Sequence, residues 1–393
     1  MTHPADRGRV LGVPPRQEWR GCAPSPRPRG PGARWARRAT VRDARQDAAV
    51  VGPGIGEAGP GRALVGGSWR LRLVVGVRIL FALLGLGMLA MLVHRAGPSE
   101  LGLALKEAAP WLPWVALIEV GRQALDASAT WLAHGPRARL IPVSVLARAQ
   151  LIGTAVSSMA PAGRAAAEAT KAALVTPYTG GAAASSAAAT AQAASLGAGG
   201  LISFPCAYAS FLMTGVSAFT IAMLIHGTVL LLTSLGVRAC MRARRLGAWL
   251  LRRRQRWASQ TEVFQDSACS GPLLPWRPML AFMCSRSLQV MQYAVLAHAV
   301  GIDASAVQAF FAQGLYLVAL ALGSLVPGQV GVTDGAFSLA AGALGTTTAR
   351  AMSIALLAHT VQAGFVLAGA LTPLVWRPRR PSPPRSSPAP ACR

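Results

Sequence analysis

The sequence predicts an all-α integral membrane protein with about six full transmembrane helices and two re-entrant helical hairpins broken by Pro and Gly. Three observations predict it. The 393 residues are 52% hydrophobic and only 13% charged, against about 25% charged in soluble domains. Apolar runs recur at lengths that cross a ~30 Å hydrocarbon core. Arginines cluster within 7–78, 238–256 and 377–393, beside or between those runs, as short cytoplasmic loops do under the positive-inside rule.

The formal charge of +25 first suggests nucleic acid. Its distribution argues otherwise. Lys106 and Lys171 are the two lysines, so the charge is almost all arginine, and it flanks apolar segments. Nothing resembling a recognition element stands beside the charge runs, and no nucleic-acid partner is expected. The six cysteines form no CxxC or Cys/His spacing, so neither a metal nor a disulfide framework is expected. Histidines 94, 134, 226, 298 and 359 never pair at i, i+3 or i+4, which favours packing over ligation. No GxSxG, HExxH, Walker or GxGxxG signature occurs. The sequence therefore predicts no catalytic residues and no cofactor, and a function other than catalysis.

Residues 1–68 are rich in Arg, Pro and Gly and read as disordered. The first membrane unit runs over 69–237, an Arg-rich cytoplasmic loop over 238–275, the second unit over 276–376, and a Pro/Arg/Ser-rich tail over 377–393. The loop holds eight arginines and no acid between 238 and 256. Within the units, parity decides the crossings. The three basic regions, together with Arg137 and Arg139, share the cytoplasmic side only if 143–175 and 305–345 are re-entrant hairpins. Six full spans remain: 72–93, 111–134, 181–204, 207–236, 278–300 and 350–376. Both termini are then cytoplasmic, in the cell membrane.

The two units resemble each other. Pro110-Trp111-Leu112-Pro113 recurs as Pro275-Trp276-Arg277-Pro278, and Ser158-Met159-Ala160-Pro161 as Ser324-Leu325-Val326-Pro327. Each later proline precedes an acid by seven residues: Glu168 and Asp334. Each unit also sets an arginine in its first helix, Arg122 and Arg286. In the topology above the two units enter from opposite sides. They form an inverted repeat, the architecture of alternating-access transporters.

Charges at membrane depth are costly and mark function by default. Glu119, Arg122 and Asp126 share one helix face, either as a self-neutralised ladder or as a ligand site. Arg286 has no carboxylate within a turn of its own helix. It needs an acid from another segment or a phosphate, which the guanidinium fork binds with two hydrogen bonds. Arg164, Glu168 and Lys171 line one face of the first hairpin. Helix starts after Pro161 and Pro327 leave unpaired N–H groups that favour an anion, and Gly328 and Gly331 allow close backbone approach. Alternatively, Pro and Gly only shape the hairpins.

Residues 150–176 (QLIGTAVSSMAPAGRAAAEATKAALVT) and 322–345 (LGSLVPGQVGVTDGAFSLAAGALG) resemble the two signature stretches of the lysylphosphatidylglycerol synthase transmembrane-region family, also called flippase-like membrane proteins. Pro161, Gly163, Glu168 and Lys171 take places comparable to the first signature; Pro327, Gly328, Gly331, Val332 and Asp334 match the second. Gln329 replaces a glycine usual there, His359 an arginine of the following helix, and Gln192 or no residue an arginine after the first signature. The resemblance covers about 70–376.

It implies a lipid-handling protein. Full synthases carry a soluble aminoacyltransferase domain after the membrane part; only seventeen residues follow position 376 here, so lysyl-lipid synthesis is not expected of the chain alone. The expected function is binding and translocation of a lipid or lipid-linked headgroup between leaflets. The alternative is an enzyme, or a membrane partner of biosynthetic enzymes, in glycolipid or envelope-lipid synthesis. Expected partners are membrane lipids with a phosphate headgroup. The expected ligand residues are Arg122, Ser158, Pro161, Arg164, Glu168, Lys171, Arg286, Pro327, Gly328, Gly331, Asp334 and His359.

Overall fold

The computed structural model describes residues 68–160, 163–243, 258–302, 305–324 and 326–376. The N-terminal segment before Ser68, Pro161, residues 244–257 of the arginine-rich loop and the tail lie outside the described residues. The described residues from Trp69 to Trp376 belong to one compact unit. Among the described residues its regular structure is helical: α1 (Ser68–Ala96), α2 (Pro98–Ala108), α3 (Leu112–Ala133), α4 (Val143–Met159), α5 (Gly163–Thr179), α6 (Gly181–Thr214), α7 (Ala218–Arg242), α8 (Ala258–Cys269), α9 (Trp276–Ala299), α10 (Ala306–Leu322), α11 (Val332–Leu339) and α12 (Thr348–Val375).

Side-chain size is sorted inside out relative to a soluble protein. Leu83, Leu84, Leu117, Ile225, Leu232 and Leu371 are exposed. The buried face of α6 is almost wholly Ala, Ser and Gly. Without water to drive helices together, close packing of small residues does so. At Gly200 an added Cβ would lie 2.9 Å from the Gly227 carbonyl oxygen, so α6 and α7 touch backbone to backbone. Gly369 on α12 likewise admits the Leu151 carbonyl of α4.

Among the described residues, four helical runs are long and apolar enough to cross a bilayer: Pro98–Ala133, α6, α7 and α12. Of the other two expected spans, 72–93 lies within α1, of which Leu83–Ala96 counts as a shorter apolar helix. The remaining one, 278–300, corresponds to α9, whose 24 residues include Arg286, Gln289 and Gln292.

The structure corrects several boundaries. The break expected at 205–206 does not occur. The helix runs through Pro205 to Thr214 and ends at Gly215, whose φ of 65° is left-handed. Proline removes one N–H, which a membrane helix held by its neighbours tolerates; a left-handed residue ends it. Pro98, in the first turn after Gly97, starts the unforeseen α2. In the hairpin expected over 305–345, the helix expected to start after Pro327 is the eight-residue α11, which begins at Val332 and not directly after the proline.

The two hairpin regions are built differently. The 17-residue α4 and α5, each about 25 Å long, pack along one another. At their turn a Cβ on Gly163 would collide with the Ser157 carbonyl oxygen. In the second region α10 leads into a 3-10 turn, Pro327–Gln329, and then α11. The helices matched in the self-comparison, α3 and α9, pack against each other.

Candidate functional site

The α3–α9 interface carries a polar layer inside the bundle. Arg122 grips Glu119 with two hydrogen bonds, Nε to Oε2 at 2.7 Å and Nη2 to Oε1 at 2.5 Å. Asp126 accepts a third, from Nη1 at 3.4 Å. Gln123 donates to Glu119 at 2.8 Å, and Gln292 reaches it from α9 at 3.5 Å. Gln123 in turn accepts from Gln150 and Thr154 of α4 at 2.7 and 3.0 Å. Spacing by three and four residues on one helix makes the Glu119–Arg122–Asp126 ladder. Burial makes its bonds matter, because an unpaired charge in low dielectric is expensive.

Arg286 is placed otherwise. Its side chain is buried, with the whole residue 5% exposed. Among the described residues its one hydrogen bond runs to neutral Gln289, Nη1 to Oε1 at 2.8 Å. Gln313 of α10 donates to the same oxygen at 3.2 Å. No carboxylate among the described residues comes within ion-pair distance. Arg286 lies in the positive fields of Arg164 and Arg122 and the negative field of Asp126. Arg122 of α3 and Arg164 of α5 thus lie within electrostatic reach of Arg286 on α9, and among the described residues two of the three have no acid at contact distance: Arg286 and the exposed Arg164. Such a place attracts an anion. A guanidinium meets phosphate or carboxylate through its planar fork.

The other expected site residues fall into separate groups. In the first hairpin Lys171 donates to Glu168 Oε1 at 2.9 Å, and Glu168 Oε2 is buried without a partner. Gly153 opens the slot for the lysine: a Cβ there would lie 2.7 Å from Lys171 Cε. Ser158 bonds back to the Thr154 carbonyl at 3.4 Å. Pro161 lies outside the described residues.

In the second region Asp334 is fully buried. Its Oδ2 accepts the Gly331 N–H at 2.8 Å and stands 3.5 Å from His359 Nε2. The helix start is thus capped by its own acid, contrary to an open anion-binding N-terminus. The close approach allowed by Gly331 is to α1: at φ 84°, a Cβ there would collide with the Gly85 carbonyl oxygen. Gly328 is left-handed in the turn after Pro327, and Gln329 adopts φ 58°. An L side chain rarely takes that conformation without cost.

Among the described residues no hydrogen bond or ion pair links Glu168 or Asp334 to Arg286. Sequence reasoning missed the glutamines of the layer: Gln123, Gln150, Gln289, Gln292 and Gln313, all buried. Their signal was available, since uncharged amides inside apolar helices bond across helices.

A model of the lysylphosphatidylglycerol synthase TM region matches residues 73–370. The chain belongs to that family. No curated protein and no solved structure matches it. Membership makes this an integral membrane protein, consistent with a membrane lipid-related role, and the outward leucines and small-residue interior suit an apolar surrounding. In this member of the family the broken second segment keeps its Pro327, Gly328, Gly331 and Asp334, and α1 seals against it.

Proposed function

We propose that this protein binds the phosphate-bearing headgroup of a membrane lipid, or of a lipid-linked intermediate, and translocates it between leaflets. The observation that carries the reading is Arg286: a buried guanidinium with a neutral partner, in the field of a second unpaired arginine. An isolated buried cation is costly, and a visiting phosphate would offset that cost. Arg122 serves the site indirectly: its fork is occupied by Glu119, so the α3 ladder holds α9 in place and leaves Arg286 to the ligand.

The reading includes a topology. Six full spans and two oppositely oriented re-entrant hairpins surround the polar layer, with both termini on the cytoplasmic side of the cell membrane. The packing of α3 against α9, the two arginine-bearing helices of the repeat, supports an inverted pair meeting at the midplane. The protein is a transporter in this account, and its partners are lipids.

The test is translocation by the full chain in proteoliposomes, followed by dithionite quenching of fluorescent phosphatidylglycerol. Arg286→Ala is expected to slow transfer about tenfold or more, the equivalent of a charge-assisted bond. Undiminished transfer in a folded Arg286→Ala protein would reject the site.

A further inference from the structure

Outside the layer around Arg286 lie two ionisable pairs, Glu168–Lys171 and Asp334–His359, and the second has its acid wholly buried. Asp334 on α11 is 0% exposed, yet its Oδ1 has no partner among the described residues. Its Oδ2 holds the Gly331 N–H at 2.8 Å and lies 3.5 Å from His359 Nε2. That nitrogen is itself buried without a hydrogen bond, although the His359 side chain keeps 16% exposure. The neighbouring Thr333 Oγ1 is buried and unpartnered too. Other packed elements supply no second countercharge within ion-pair distance among the described residues. From α10 comes Tyr316, and from α9 Tyr293, whose ring stacks on Phe337. On α1, Met88 and Leu92 lie beside Gly335, with His94 and Arg95 at the helix end. Near the start of α12, nine residues before His359, Arg350 stands beside Gly301.

We propose that Asp334 and His359 form a proton-binding site that couples lipid translocation to protons. With imidazole neutral, the pair carries a net charge of −1 in a low-dielectric interior. One added proton, taken up at the imidazole and passed to the carboxylate, gives carboxylic acid beside neutral imidazole, with no net charge. The uncharged state is the one that burial favours. Histidine is the side chain whose unperturbed titration falls near neutral pH. The proton enters through the part of His359 that is not buried and passes to the carboxylate.

The position of the pair converts that charge change into movement. Asp334 Oδ2 caps α11 through the Gly331 N–H. Gly331 sits directly on the α1 backbone at Gly85, where a Cβ on Gly85 would lie 2.6 Å from the Val330 carbonyl oxygen. His359 is on α12, which packs against α4 of the first hairpin. Protonation therefore changes the tie between the broken segment and α12 at a point where α1 allows no slack. The coupling rests on the lipid-translocation reading; the proton site does not.

Two measurements on the full chain separate these. The first is infrared difference spectroscopy in nanodiscs stepped between pH 8 and pH 5. A carbonyl band of a protonated buried carboxyl is expected. It should vanish in Asp334→Asn, which keeps an acceptor for the Gly331 N–H, and lose its pH response in His359→Arg, which fixes the positive charge. Absence of an Asp334-dependent band, or one whose pH response survives His359→Arg, would overturn the proton site.

The second is transfer of fluorescent phosphatidylglycerol in proteoliposomes with and without an imposed pH gradient. The wild-type rate should change severalfold with the gradient, and the His359→Arg rate should not. Wild-type transfer that ignores the gradient would overturn the coupling while the lipid reading stands. No transfer at all, with the infrared band intact, would uphold the proton site and overturn the lipid reading.

Discussion

Gly369 on α12 offers the sharpest test of the packing. An alanine Cβ there would collide with the Leu151 carbonyl oxygen of α4 and lie 3.1 Å from Ala155 Cβ. The obstacle is backbone, so no side chain can rotate away. Reaching ordinary contact requires α4 and α12 to part by roughly 1 Å or more, loosening contacts along the first hairpin. Overpacking of this kind costs about 1–3 kcal/mol, and the rigid obstacle places Gly369→Ala at the upper end. Gly364, on the same helix, is the internal control: nothing lies within 4 Å of its Cβ position. Gly364→Ala should be neutral or stabilising by up to about 1 kcal/mol, because alanine favours helix. Reversible unfolding in mixed micelles titrated with sodium dodecyl sulfate would measure both. A difference of about 2–4 kcal/mol between the two variants is expected. Equal stabilities would refute the α4–α12 contact and, with it, the position of the hairpin.

Two further outcomes follow from individual contacts. Glu119→Gln removes the carboxylate that holds Arg122 by two bonds, leaving Asp126 at 3.4 Å as its remaining acid. A loss of about 2–4 kcal/mol is expected in the same unfolding assay, less than for a fully stranded buried charge; the Glu119→Gln/Arg122→Gln double variant should recover part of it, and full wild-type stability in the single variant would contradict the ladder. Gln329→Gly relieves an L residue at φ 58° and should raise stability by about 0.5–1 kcal/mol; a clear loss would show that the Gln329 side chain matters more than its backbone.

Much of this arrangement could be read from residue spacing. The i, i+3, i+7 pattern of Glu119, Arg122 and Asp126 predicts the ladder, because three- and four-residue steps share a helix face. The isolation of Arg286 was legible because its own helix offers no acid. The signature of the second segment was legible too, but the roles of its residues were not. Gly331 touches Gly85, and Asp334 stands beside His359, both distant in sequence; no local pattern encodes either partner. The break expected at 205–206 is absent because the helix passes through Pro205, and a proline's cost depends on whether neighbouring helices hold the chain. The glutamine layer was overlooked because charge, not hydrogen-bonding capacity, drew attention inside apolar segments.

The central claim is that Arg286 awaits a phosphate. Calorimetric titration of the full chain with a short-chain phosphatidylglycerol tests it directly, against Arg286→Gln of matched fold by circular dichroism. The account predicts binding that the variant weakens about tenfold or more, in line with the loss of one charge-assisted interaction. Equal affinity of the two proteins would contradict it.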